Sequence, residues 1–416
     1  MYFYNNVAKY IIVHSKSIMK LNFGLVVFFI MLFIFIIEFV KYVYDVNMLN
    51  KTSIFSIFDY KEEEQEEQEE QFDRMLRTDI ENFDSMVQTQ TPLIDNSNVP
   101  DVKFPFKNAR DNNGNKLNVI MISAPFRTQE DENTYNELKK QNMKFCGISS
   151  YLDFPDKIVN PFEDRFHEER KHNYISMVDS WLYCFRPEKM PKKLSNSKLP
   201  MMLITEADLK DTDGYYKPDP TIEKEYDFMY ICLDDDESPD PKCVPGWQWY
   251  NRNWDLAKKC LEVMCHDYNL KGIIVGRTNC EFTNKCNGIV KTVPFMDFHT
   301  FQKEMKKCKW LFVPNISDAS PRVMTEALCY NMPVLTNYDI IGGWHNVIPG
   351  VTGEFFTNET DIVPALDNLT QNYDKYKARE WYCNNRGRNI YGKKLAEFLK
   401  KNYPTLNNPN IEWADI

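Results

Sequence analysis

The chain reads as an α/β protein, two Rossmann-like domains facing a cleft, set behind an N-terminal membrane helix and a stem. Three observations lead there. From Leu117 onward, short apolar runs alternate with segments of helical period. Their order is the strand–helix–strand repeat that parallel pairing requires. The run from Trp310 to Thr336 gives strand, acidic turn, helix and strand in unbroken succession.

Residues 1–20 are a short tail. Leu21–Val40 (LNFGLVVFFIMLFIFIIEFV) is long and apolar enough to span a bilayer. The apolar run is too long for a cleaved signal peptide, and the flank after it lacks small residues. Lys9, Lys16 and Lys20 precede it with no acid, while Lys41, Lys51 and Asp45 follow. That bias predicts an N-terminus inside and the rest of the chain across the membrane, a single-pass signal-anchor layout. Residues 41–116 are then an acidic stem, solvated or disordered over Glu62–Gln71 (EEEQEEQEEQ). The seven glutamates of that run supply most of the formal charge of −10. The rest of the chain is nearly balanced, so neither a polybasic membrane face nor a nucleic-acid footprint is indicated.

In the expected first domain, 117–224, Leu117–Ser123 (LNVIMIS) is a strand, Glu130–Gln141 a helix and Met143–Ile148 a strand. Phe162–Phe185 reads as one or two helices, with His167 and His172 solvated or structural on a polar face. Met201–Thr205 is an apolar strand running into Glu206-Ala207-Asp208. Residues just past the carboxyl ends of strands in an open α/β sheet face the crevice. Arg127, Glu206 and Asp208 are therefore candidates for contact with a bound substrate, with helix cap and surface charge as the plainer readings.

In the expected second domain, 225–369, Asp227–Cys232 is a strand, followed by a helix over Trp254–Tyr268 with Leu256, Leu261, Val263 and Met264 apolar. Lys271–Gly276 is a strand, Phe298–Cys308 a helix, and Trp310–Pro314 a strand. In the helix that comes next, Ser320 suits the N-cap and Pro321 the first position. Its apolar face is Val323, Met324, Ala327 and Leu328, and Asn331 falls where a left-handed residue must end it. Arg322 lies in the first turn, where the helix is already positive, so an anion such as a diphosphate is expected to share the space. The plainer reading pairs Arg322 with Asp318 in solvent. Glu326, one turn later on the same face, offers two oxygens to adjacent hydroxyls. Neither Arg322 nor Glu326 is expected to pack in the core.

Four further elements stand in register here: Asp318-x7-Glu326-Ala327, Pro333-Val334, Gly342-Gly343 and Gly350-Val351-Thr352-Gly353. Together they resemble the signature of the retaining GT-B glycosyltransferases of family 4, the "glycosyl transferases group 1" set, mainly over 227–356. Asp318 stands where Glu is usual, and Leu233–Glu237 replaces the usual Gly-Arg after the first strand. The resemblance implies a GT-B fold, with the donor gripped mainly by the second domain. It implies that Glu326 holds the ribose hydroxyls and that Asp318 contacts hydroxyls of the donor sugar. Arg252, in Arg252-Asn253-Trp254-Asp255, stands where the family has a phosphate-gripping Lys. Asp318, Glu326 and Arg322 are the implied catalytic set; Arg252, Ser320, Pro321, Val323, Glu326, Gly342 and Gly343 are the implied donor contacts.

The expected donor substrate is a UDP-, GDP- or ADP-sugar, with no tightly bound cofactor and no metal required. The expected acceptor is a glycan, protein or lipid, with Arg127, Glu206 and Asp208 as the possible acceptor-side residues, and no protein nucleophile is implied. Residues 370–416, with Leu395, Phe398 and Leu399 at helical spacing, are expected to return as a helix to the first domain. The implied setting is a type II protein of an endoplasmic-reticulum or Golgi-like membrane, its catalytic part lumenal.

Other readings remain beside this one. Asp234-Asp235-Asp236 after a strand matches the metal-binding Asp-x-Asp of GT-A enzymes, although the Pro-rich loop that follows favours an exposed acidic loop. A sugar-nucleotide-binding scaffold without activity is a second alternative. A Rossmann dehydrogenase is excluded by the lack of G-x-G-x-x-G after Leu117–Ser123. The eleven cysteines show no paired C-x2-C spacing, which argues against structural zinc. Cys146, Cys232, Cys260, Cys308 and Cys329 read as core, and Cys280 and Cys286 are expected to bridge in a lumenal domain. Glycosylation triplets stand at Asn50, Asn315, Asn358 and Asn368, and a glycan on Asn315 would obstruct the donor loop.

Overall fold

The computed structural model describes residues 99–156, 172–236, 238 and 241–416, all within one compact unit, Leu93–Ile416. The expected membrane helix, the acidic run and His167 lie outside the described residues. Among the described residues no helix is long and apolar enough to cross a membrane.

The first sheet has the order β12-β1-β2-β3-β4-β5. Its strands are β1 (Phe106–Asp111), β2 (Lys116–Ile122), β3 (Lys144–Ile148), β4 (Ser180–Tyr183), β5 (Met201–Leu203) and β12 (Ala414–Asp415). β2 to β5 pair in parallel, and β1 lies antiparallel to both β2 and β12. Helix α1 (Gln129–Lys140) starts with a capping box in which Thr128 and Asp131 satisfy each other's backbone N–H groups.

The second sheet is wholly parallel, in the order β11-β10-β9-β6-β7-β8. Its strands are β6 (Tyr226–Ile231), β7 (Gly272–Val275), β8 (Val290–Val293), β9 (Cys308–Val313), β10 (Val334–Asn337) and β11 (Gly353–Phe356). Helices α2 (Trp254–His266), α3 (Phe298–Lys306), α4 (Arg322–Cys329) and α5 (Ile362–Gln371) connect or follow them. Numbered from β6, the order is 3-2-1-4-5-6, that of a doubly wound nucleotide-binding sheet. One apolar core, including Tyr230, Trp254, Leu261, Trp310, Phe312 and Leu366, fills this half.

After α5 the chain forms α6 (Ala378–Asn385), a π-helical turn and α7 (Lys393–Asn402). Leu395, Ala396 and Leu399 of α7 pack with Leu117, Val119, Met121 and Leu182 of the first sheet. The final residues add β12 to its edge.

Several expectations need correction. The stem does not reach 116, because Phe106–Asp111 is strand β1, hydrogen-bonded to β2. The segment read as helix up to Phe185 contains β4 instead, whose Trp181 and Leu182 are fully buried between sheet neighbours. Cys280 and Cys286 do not bridge each other: Cys243 pairs with Cys280 and Cys265 with Cys286. Cys280 faces the 241–246 loop, which Asn279 and Arg277 also bind through Pro241 O and Val244 O, whereas the turn holding Cys286 packs on α2.

Candidate functional site

In the second sheet, strand order reverses between β6 and β9, so the connections leaving their carboxyl ends diverge and open a crevice. The turn after β9 carries Asp318 there. Its Oδ2 accepts from Arg252 Nη1 at 2.5 Å and from Asn315 Nδ2 at 3.1 Å, and its Oδ1 from Ser320 N at 3.2 Å. Arg252 ends the short helix Trp247–Asn251, and its carbonyl accepts from Tyr230 OH at 2.8 Å. Asn253 takes a left-handed conformation, φ 54°, and donates to Pro314 O at 3.0 Å. Asn tolerates that conformation well, and this kink brings Arg252 to the acidic turn. Arg252 is 28 % exposed and Asp318 13 %, so the pair borders solvent. Asn315 itself is buried, so a glycan on it is incompatible with this turn.

Gly342 and Gly343 lie directly on the same turn. Gly342 N donates to Asp318 O at 2.9 Å, and a Cβ at Gly342 would lie 1.8 Å from Ala319 O. Gly343 has φ 73°, which favours glycine. The Thr352 hydroxyl, from the Gly-x-Thr-Gly turn, donates to Asn346 O and accepts from Ile348 N. Much of the 318–353 pattern is thus explained by how closely these turns cross.

Ser320 is not the N-cap of α4. The helix starts at Arg322, with Pro321 at the cap position and no side-chain cap. The Ser320 hydroxyl instead reaches the first domain's Glu206-Ala207, donating to Glu206 Oε2 at 3.2 Å and accepting from Ala207 N at 3.3 Å. Glu206 Oε1 accepts from Lys107 Nζ, on β1, at 2.6 Å. Burial opposes ionisation of Glu206, but Lys107 and then Arg322 outweigh it and hold the carboxyl at about 2. Arg322 and Val323 are half-buried in the first turn of α4, and Pro321 is buried.

Glu326 departs from expectation most. It is buried, with side-chain exposure of 8 %. Lys210 Nζ donates to its Oε1 at 2.6 Å, Gln302 Nε2 to its Oε2 at 3.1 Å, and Tyr216 OH to Oε1 at 3.5 Å. Burial and then the charge of Glu326 push the Tyr216 phenol far up, so it stays protonated and donates. Arg379 binds the same connection to α4, through Thr212 O, Tyr216 O and Cys329 O. A ribose can reach Glu326 only if Lys210 gives way.

Asp208, expected to face a substrate, is a fully buried strut. Oδ1 accepts from His345 Nε2 at 2.9 Å and Asn346 Nδ2 at 2.8 Å, and Oδ2 from Thr205 N at 2.8 Å. Burial works against its charge, and these donors still hold its carboxyl below the ordinary aspartate range. Arg127 has its guanidinium 4.5 Å from the centre of the Phe104 ring. Asp235 pairs with Arg277 and accepts from Gln248 N and Trp249 N, and Asp236 accepts from Ser238 N and Lys242 N. Those carboxylates order the loop after β6.

The structure therefore brings Arg252, Asp318, Gly342, Ser320 and Glu206 together, and separates Glu326 into a clasp. Lys107, Lys210, Tyr216 and Gln302 escaped the sequence reading. The one available signal was position: Lys210 comes soon after β5, where residues face the crevice.

No protein-family model matches the chain, and no curated protein matches it. Among solved structures it is similar to TarM, with a TM-score of 0.43 and 14% identity over 64% of this chain and 50% of TarM. It is similar to the lipopolysaccharide outer core galactosyltransferase WaaB, with 0.39 and 14% over 60% of this chain and 66% of that one. Anabaena HepE, in complex with UDP and glucose, gives 0.47 and 13% over 68% of this chain and 78% of HepE. The chain spans half the length of TarM and just under two thirds of WaaB.

Proposed function

We propose that the protein is a membrane-anchored retaining glycosyltransferase of GT-B type, moving a sugar from a nucleotide sugar to a glycan, protein or lipid. The observation that carries this reading is the Arg252–Asp318 pair at the strand-order reversal, with Gly342 seated on its turn. Arg252, Arg322 and the first N–H groups of α4 supply positive potential for a diphosphate. Asp318 supplies acceptor oxygens for sugar hydroxyls. In the reaction the bond from the anomeric carbon to the β-phosphate oxygen breaks, and the acceptor oxygen bonds to that carbon on the same face. The acceptor's proton passes to the β-phosphate oxygen, and the nucleoside diphosphate leaves. The protein's part is electrostatic, stabilising charge that grows on the leaving group. The test is a panel of UDP-, GDP- and ADP-sugars read by nucleotide release, with the product's anomeric configuration set by NMR. Release of one nucleotide with retained configuration is expected; inversion would remove the retaining mechanism.

A second reading is a nucleotide-sugar-binding scaffold without activity, in which Glu326, its Oε1 already taken by Lys210, serves as a structural clasp. Donor binding without transfer or hydrolysis would support it. The two disulfides support an oxidising compartment. With Leu21–Val40 as anchor, the expected topology is type II with a lumenal catalytic part, in an endoplasmic-reticulum or Golgi-like membrane. A C-terminal tag should be protected from protease in sealed microsomes, and its digestion there would place the enzyme on the cytosolic face.

A further inference from the structure

We propose that Arg186 anchors an oxyanion-binding subsite in the crevice, taking the carboxylate or phosphate of an acidic sugar. Arg186 lies just past the carboxyl end of β4, a position that faces the crevice, yet it is only 8 % exposed. Its guanidinium carbon is 4.1 Å from the centre of the Tyr338 ring, 4.8 Å from that of Trp344 and 5.1 Å from that of Phe355. All three rings belong to the second domain. They attract the cation through their faces, but they accept nothing from its in-plane N–H groups.

Arg186 Nε and Nη2 are buried and have no hydrogen-bond partner among the described residues. These two nitrogens form one edge of the guanidinium, the fork that meets a carboxylate or phosphate with two parallel bonds. Arginine cannot shed its charge, so leaving that edge buried and empty is costly. The acids next to its ring walls in sequence or in contact with them are engaged elsewhere. Asp339 pairs with Lys189 at 2.5 Å, and Asp208 is filled by His345 and Asn346. Trp344 is fixed by its Nε1 donating to Cys184 O at 2.7 Å. Tyr338 is the yielding wall, 41 % exposed, and the anion enters on its side.

As a place for the acceptor this subsite rests on the transferase reading; as an anion site it does not. The test therefore uses no donor. The full chain, purified in detergent, is titrated by calorimetry with glucuronate, with glucose 6-phosphate and with neutral glucose. At least one acid sugar should bind and glucose should not; which one binds tells carboxylate from phosphate. Arg186→Lys keeps the charge but loses the fork, and should weaken binding at least ~10-fold. Arg322→Ala should leave acid-sugar binding intact. Saturable Trp fluorescence change on binding, lost in Trp344→Phe, gives a second readout should Arg186→Lys fail to fold. Binding of neither acid sugar, equal binding of glucose, or loss of binding in Arg322→Ala would overturn the subsite. A transferase that works but binds no acid sugar would overturn this inference alone.

Discussion

Asp318 and Glu326 come from one spacing in one short stretch of sequence, and the structure gives them different surroundings. Asp318 borders solvent in a turn, sharing an oxygen between Arg252 and Asn315. Glu326 is closed over by Lys210, Tyr216 and Gln302, two of them from the connection that joins the domains. A spacing names the residue types on a helix; it does not say what crosses over them. One carboxylate orders a turn at the edge of solvent, and the other ties α4 to the connection between the domains.

The largest effect that would break this contrast concerns Glu326. Glu326→Ala leaves Lys210 buried without its partner, a loss of about 3–5 kcal/mol. Asp318→Ala should cost less, about 1–3 kcal/mol, since Arg252 is 28 % exposed and water can reach the cation that loses its partner. Denaturant or thermal unfolding of both variants checks this, and equal losses would erase the distinction.

Glu206 sharpens it through pH. Its carboxyl lies near 4.5 when unperturbed and at about 2 in the fold. A depressed folded pKa means that the stabilisation is present above 4.5 and drains away as pH falls toward 2. The contribution is roughly 3 kcal/mol. Melting temperature against pH should therefore fall more steeply over that window for wild type than for Glu206→Gln.

On the Asp318 side, Gly342→Ala would drive a methyl into Ala319 O, so the two turns must separate. A loss of about 1–3 kcal/mol is expected, with weaker donor binding, measured by thermal shift with and without nucleotide.

The same contrast explains what could be read in advance. Four strands of the second sheet were legible because they are short apolar runs between amphipathic helices, as at Asp227–Cys232 before Trp254–Tyr268, whereas β8 and β11, four residues each, were not. Arg252, Asp318 and Gly342 were named by the resemblance, and the structure brings them into contact at one turn. The first sheet was harder. β1, FKNARD, carries four polar residues and is a strand only because β2 and β12 flank it. β4 is four residues long, too short to show a period, and missing it hid Arg186 at its end. The burial of Glu326 depends on Lys210, 116 residues away, and the disulfide partners depend on which loops meet.

The most direct test of the proposed donor site is Arg322→Ala, compared with wild type by calorimetric donor binding and by kcat for nucleotide release. Charge on the diphosphate grows as its bond to the sugar breaks, so kcat should fall roughly 10²–10³-fold while donor affinity changes far less. Unchanged kcat, or a wild type that neither binds nor turns over any UDP-, GDP- or ADP-sugar, would contradict the account.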